Sequence, residues 1–118
     1  MVVIVRPETE RFTVARTETA PGTVVLAITG DVDICNARGL REEIGAILAE
    51  SALRRLTLDF AALDYIDSSG VGALVAGLRL AEDRRVGFTV VNPRREVLRA
   101  LTILGLGPAL SPGGQSWR

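Results

Sequence analysis

Three short apolar runs, residues 24–29, 56–60 and 86–91, constrain this chain most, because each is followed by apolar residues recurring at three- and four-residue spacing. Short apolar runs bounded by turn-forming residues suit strands buried in a sheet. The three- and four-residue spacing marks one face of an amphipathic helix. Strand, helix, strand, helix, strand, helix predicts an α/β chain, a βαβ series around a small, mostly parallel sheet. Right-handed crossovers pack its helices on one side.

The N-terminal part makes that sheet mixed. Residues 11–16 alternate, with Phe12 and Val14 on one face, and Pro21-Gly22 is a turn signature, so this segment pairs with residues 24–29 as a hairpin. Residues 2–5 read equally well as an edge strand or a loose terminus. Gly30-Asp31-Val32-Asp33 ends the second strand, and Asn36 is placed to cap the first helix. That helix ends near Glu50, with Ala37, Leu40, Ile44, Ile47 and Leu48 inward. Residues 61–65 link the next strand to a second helix that starts at Val71 and faces inward through Val71, Leu74, Val75 and Leu78. Gly72, Ala73, Ala76 and Gly77 are small; interior glycines cost about 1 kcal/mol each against alanine, which implies close packing on that side. Asn92-Pro93 opens a third helix with Val97, Leu98, Leu101 and Leu104 inward and Gly105 as its C-cap. The resulting division is residues 1–10 as a lead or edge strand, residues 11–106 as one domain, and residues 107–118 as a flexible tail carrying Trp117.

With 118 residues, 47% of them hydrophobic, the chain has enough apolar material for one core. Cations and anions balance at 14 each and no segment is strongly basic, which argues against direct nucleic-acid binding. No apolar run is long enough to span a bilayer, and residues 2–7 lack the length and basic leader of a secretory signal. The expected setting is the cytoplasm, away from the membrane. There is no histidine, no lysine and one cysteine, Cys35. Those absences remove the commonest general base and metal ligand, the Schiff-base and P-loop lysines, disulfides and thiolate zinc sites. No cofactor and no metal are expected, and Cys35 reads as a small packed residue.

Chemistry concentrates in Asp67-Ser68-Ser69-Gly70-Val71-Gly72, where a strand hands over to a helix. A helix start exposes unpaired N–H groups and partial positive charge. A serine there can cap the helix, or carry a phosphate that the N–H groups hold, and spacing leaves both open for Ser69. Ser68 caps or faces the turn; Asp67 caps or orients the Ser69 hydroxyl. Gly70 and Gly72 serve a tight turn or admit a partner's backbone. Partner surfaces in such sheets gather at strand carboxyl ends. Asp31 and Asp33, just past one strand, should therefore meet residues 67–69, just past another.

Residues 12–106 resemble the STAS family, the anti-sigma factor antagonists of bacterial partner-switching systems. The resemblance rests on Gly30-Asp31-Val32-Asp33, on Leu58-Asp59-Phe60 followed by Ile66-Asp67-Ser68-Ser69-Gly70-Val71-Gly72, and on Asn92-Pro93 with Leu101-Thr102-Ile103-Leu104-Gly105-Leu106. It implies a single STAS domain that binds rather than catalyses. It implies that Ser69 is the phosphoacceptor, flanked by Asp33 and Asp67. With the reading of the residues themselves, the expected partner surface is Asp33, Asp67, Ser68, Gly70 and Asp31. The implied partner is an anti-sigma factor, a serine kinase of the ATPase fold related to histidine kinases. Binding it would free a sigma factor; phosphorylation would end the binding, and a PP2C-type phosphatase would restore it. Two departures stand out. The family continues into a last helix where this chain has a Pro/Gly tail, and an uncovered edge there would invite a partner or a homodimer. Cys35 and Asn36 also differ from the family's usual residues after the acidic turn.

A second reading keeps the fold and drops the switch: a STAS subunit of a larger transport or sensory complex, with Ser69 as a helix cap. An enzyme with Ser69 as nucleophile would need Asp33 or Asp67 as its base, since histidine and lysine are absent.

Overall fold

Three strands in succession, β1 (Val3–Thr9), β2 (Phe12–Ala20) and β3 (Thr23–Val32), pair antiparallel in the computed structural model, which describes residues 3–9 and 12–112. Residues 3–9 form an edge strand; Val2 and Arg11 lie outside the described residues. Pro21-Gly22 makes the expected turn between β2 and β3. The order continues α1 (Ala37–Leu48), β4 (Arg55–Asp59), β5 (Leu63–Ile66), α2 (Ser68–Arg84), β6 (Gly87–Val91), α3 (Arg95–Ile103) and α4 (Gly107–Leu110). The sheet runs β1-β2-β3-β4-β6, and β5 takes over as partner of β3 beyond the end of β4. The β3–β4, β3–β5 and β4–β6 pairs are all parallel.

Register aligns the core. Val24, Leu56 and Phe88 form one buried row across β3, β4 and β6, and Leu26, Leu58 and Val90 form the next. Side chains alternate along each strand, so Val25, Ala27, Thr57 and Thr89 point to the opposite face and stay partly exposed. The helices pack on the first face, where Leu40, Ile44 and Leu48 of α1 and Leu74 and Ala81 of α2 join the same cluster. The inward face of α1 is the one its spacing predicts.

The face of α2 is rotated from expectation. Its buried residues are Gly70, Val71, Ala73, Leu74, Gly77 and Ala81, while Val75 and Leu78 sit at the rim, partly exposed. Small residues let the helix approach: a Cβ on Gly77 would lie 2.9 Å from Ile44 Cγ2 and 3.0 Å from Phe88 Cζ. Gly72 has no such neighbour within 4 Å and faces open space, so close packing explains only one of the two interior glycines.

Four further boundaries differ. β3 does not end at Gly30 but runs to Val32, because Gly30 adopts φ 92° and shifts the register to pair with β5. β5 itself replaces the expected link. α2 starts at Ser68, a turn before Val71. At the end of α3, Leu104 is exposed rather than inward. There Gly105 N–H donates to Thr102 O and Leu106 N–H donates to Leu101 O, both at 3.0 Å, and Leu106 packs against the core instead.

The flexible tail is corrected in part. Residues 107–110 form α4 with Pro108 in its first turn, Leu110 is fully buried, and Ser111 is also buried. α4 packs on β6, the strand at that edge of the sheet, where an uncovered edge was expected. Trp117 and the rest of residues 113–118 lie outside the described residues. Among the described residues, no helix is long and apolar enough to cross a membrane.

Candidate functional site

The carboxyl ends of β3 and β5 lie side by side, with Val32 opposite Ile66. Asp67 N–H donates to Val32 O at 3.1 Å, which brings the acidic turn and the start of α2 together as the sequence predicts. Asp67 is the N-cap of α2. Its backbone is extended, and its Oδ1 accepts from Ser69 N–H at 2.9 Å and Gly70 N–H at 3.1 Å. Its carbonyl accepts from Val71 N–H at 2.9 Å. The carboxylate thus occupies backbone donors that the sequence reading left for a phosphate.

Ser69 is therefore not the cap. It sits in the first turn of α2, half-buried, and its hydroxyl makes no hydrogen bond among the described residues. Together with Ala37, Arg38, Arg41, Gly72 and Ala73 it lines an open groove between α1 and α2. Ser68 is exposed beside it. Gly70 is not on this surface. It is buried, and a Cβ there would come 2.5 Å from Ile66 Cγ1 and 2.8 Å from Val32 Cγ1. Its expected place at the partner surface is corrected: it lets α2 seat on the two strand ends.

The acidic turn is held by its own side chains. Asp33 Oδ1 accepts from Cys35 N–H at 2.9 Å, Asn36 Oδ1 accepts from Asp33 N–H at 2.9 Å, and Asn36 Nδ2 donates to Asp31 O at 2.8 Å. Asn36 is buried and makes no side-chain cap on α1, because both ends of its amide serve the turn. Asp31 and Asp33 stay partly exposed. Held this way, the turn pushes Ile34 outward to 77% exposure, and Cys35 is exposed rather than packed.

Three residues at this site were not singled out from the sequence. Ile34 is an apolar residue at the tip of an acidic turn, and that was its signal. Arg38 and Arg41 lie three apart on the polar face of α1, where charged residues are ordinary. Both are exposed, and neither forms an ion pair among the described residues. Beyond them the groove continues past Gly72, Val75, Ala76 and Arg79 to Asp83. Arg94 pairs with Asp64 on the surface. Among the described residues, no group of histidine, cysteine, aspartate or glutamate is placed to hold a metal ion.

The STAS domain model matches residues 14–112. The anti-sigma F factor antagonist of Lysinibacillus sphaericus is 27% identical over 73% of this chain and 74% of its own length. Sulfate transporter 3.1 of Arabidopsis thaliana is 31% identical over 80% of this chain, which spans only 16% of the transporter. The anti-sigma factor antagonist SpoIIAA of Bacillus has the same fold. Its unphosphorylated form superposes with a TM-score of 0.73 at 26% identity, covering 82% of this chain and 84% of SpoIIAA. Its phosphorylated form gives 0.68 at 25% identity, covering 82% and 87%. With one family model matching from β2 through α4 and the same architecture in SpoIIAA, the chain belongs to the STAS domain family.

Proposed function

We propose that this protein is an anti-sigma factor antagonist, a cytoplasmic binding module whose docking to a serine kinase of the ATPase fold is ended by phosphorylation of Ser69. The observation that carries this reading is the Ser69 hydroxyl. Ser69 lines an open groove and its hydroxyl makes no hydrogen bond among the described residues, at the start of a helix whose capping is already done by Asp67. A serine with no structural task in that position suits an acceptor. The relatives support the same direction: SpoIIAA is described in phosphorylated and unphosphorylated forms.

In the free form, the exposed Ile34 and the rim of Asp31, Asp33, Asp67 and Ser68 meet the kinase, and a sigma factor is released. The kinase supplies ATP and the catalytic groups, so the chain needs no base of its own. Phosphate brings about −1.5 to −2 charge to Ser69. Next to Asp33 and Asp67, that charge adds repulsion and a desolvation cost to docking while leaving the core untouched. A PP2C-type phosphatase then returns the chain to its binding form. No nucleic acid takes part directly.

The test is incubation with a co-encoded kinase and ATP, followed by intact mass. The wild type should gain one phosphate. Ser69→Ala should gain none yet still be captured by the kinase with ADP, and Ser69→Asp should bind weakly while remaining folded. Phosphate transfer to Ser69→Ala would falsify the assignment. A second reading, a STAS portion of a transport assembly, draws on the sulfate transporter similarity. It requires that Ser69 stay unmodified in the presence of the kinase.

A further inference from the structure

We propose that a phosphate on Ser69 is received within the same chain by Arg38 and Arg41 of α1, rather than by the start of α2. The inference rests on Ser69 being the acceptor. The usual way to hold such a phosphate is through free N–H groups and the positive end of a helix. Here two of those N–H groups are taken. Asp67 Oδ1 already accepts from Ser69 N–H and Gly70 N–H, and its negative charge already compensates the dipole. A phosphate arriving at Ser69 would meet Asp67 on its own helix and Asp33 on the adjoining turn, both carboxylates.

Cations come from the other wall of the groove. Arg38 and Arg41 are the two charged residues lining it with Ser69. Their three-residue spacing puts both guanidinium groups on one side of α1. Neither has an ion pair among the described residues, so receiving a phosphate breaks no ion pair there. Guanidinium groups bind phosphate oxygens in pairs, with charge-assisted hydrogen bonds. The next cation along the groove, Arg79, lies on the adjoining stretch that Arg41 also lines, and it does not line the part that holds Ser69.

Phosphorylation then does two things at once. It places negative charge beside the acidic rim, and it draws the α1 arginines across the groove, removing them from any contact with a partner. The switch is read on α1 as well as on α2.

The experiment installs phosphoserine at position 69 by codon reassignment, so no kinase is needed. The second ionisation of the phosphate is then followed by phosphorus NMR in the wild type, Arg38→Gln, Arg41→Gln and the double variant. Cationic neighbours favour the dianion, so the midpoint in the wild type should lie below that of the double variant by about 0.5 to 1 pH unit. The single variants should fall between. Asp33 and Asp67 are the same in all four, so the difference isolates the arginines. Arg38→Lys/Arg41→Lys, which keeps charge without the fork, should recover part of the shift. Equal midpoints in the wild type and the double variant overturn the proposal. That result would leave the acceptor assignment standing, whereas failure of the kinase to label Ser69 would remove the assignment and leave this titration unchanged.

Discussion

Asp67, Ser68 and Ser69 are all competent helix caps, and the sequence alone ranks them no further than that. The backbone decides. Asp67 has the extended conformation of a cap, and its carboxylate reaches two N–H groups. Asp67→Ala should therefore cost roughly 0.5–2 kcal/mol in urea unfolding, with Ser69→Ala within about 0.5 kcal/mol of wild type. Equal losses in the two variants would mean that Ser69 shares the capping task. Asn36 teaches the same lesson. Its place before α1 is legible, but its amide is engaged by Asp33 and Asp31 across the turn. Ile34 was passed over for another reason: a tip residue that buries nothing carries no periodic signal, only its apolar character in an acidic turn. Ile34→Ala should leave stability within about 0.5 kcal/mol while weakening kinase capture, as surface changes off the core do. An unchanged affinity would remove Ile34 from the docking surface.

At the scale of elements, the two glycines in α2 that flank Val71 have opposite roles. A methyl on Gly70 runs into Ile66 and Val32, whereas Gly72 faces open space in the groove. Gly70→Ala should destabilise by about 1–3 kcal/mol through overpacking. Gly72→Ala should stabilise by up to about 1 kcal/mol through helix propensity. If the α1–α2 groove is where the kinase docks, Gly72→Ala should also weaken binding despite its gain in stability. Thermal melts and kinase titrations of the same two proteins separate these effects. The elements easiest to read in the sequence were those with strong periodicity, such as α1 with its five inward residues. β5 was missed because it has four residues, two of them the exposed Asp64 and Tyr65, which give little apolar alternation to detect. α4 was missed because Gly107 and Pro108 look like breakers, and only burial of Leu110 against β6 makes the turn worthwhile.

For the molecule as a whole, a one-sided sheet with parallel central strands gathers the strand carboxyl ends at one edge, and the acidic turn meets the start of α2 there. That convergence was legible from strand order alone; the groove with its arginines was not, because it depends on how α1 and α2 sit together. Away from this edge, Arg16 of β2 pairs with Glu50 just past α1, tying sheet to helix through two hydrogen bonds. The hydrogen bond from Arg16 holds the Glu50 carboxyl below the usual carboxylate range, against a smaller opposing effect of burial. A depressed pKa in the folded state contributes stability above the unfolded value of about 4.3, and that contribution is lost as pH falls through the folded value. Because both side chains are partly exposed, it should amount to less than about 1 kcal/mol. Glu50→Gln should thus be slightly less stable than wild type at neutral pH and converge with it in acid once the pH has fallen below the depressed folded-state value. A gap that persists in acid would mean that the loss comes from packing.

Regulation by phosphate requires that charge on Ser69 change what the surface binds and leave the core as it is. The direct measurement takes one preparation with and without phosphate at Ser69 and determines both its affinity for the kinase and its melting temperature. Affinity should fall at least about tenfold, or about 1.4 kcal/mol, with the melting temperature nearly unchanged. Equal affinities, or a phosphorylated chain that has unfolded, would contradict a switch at this site.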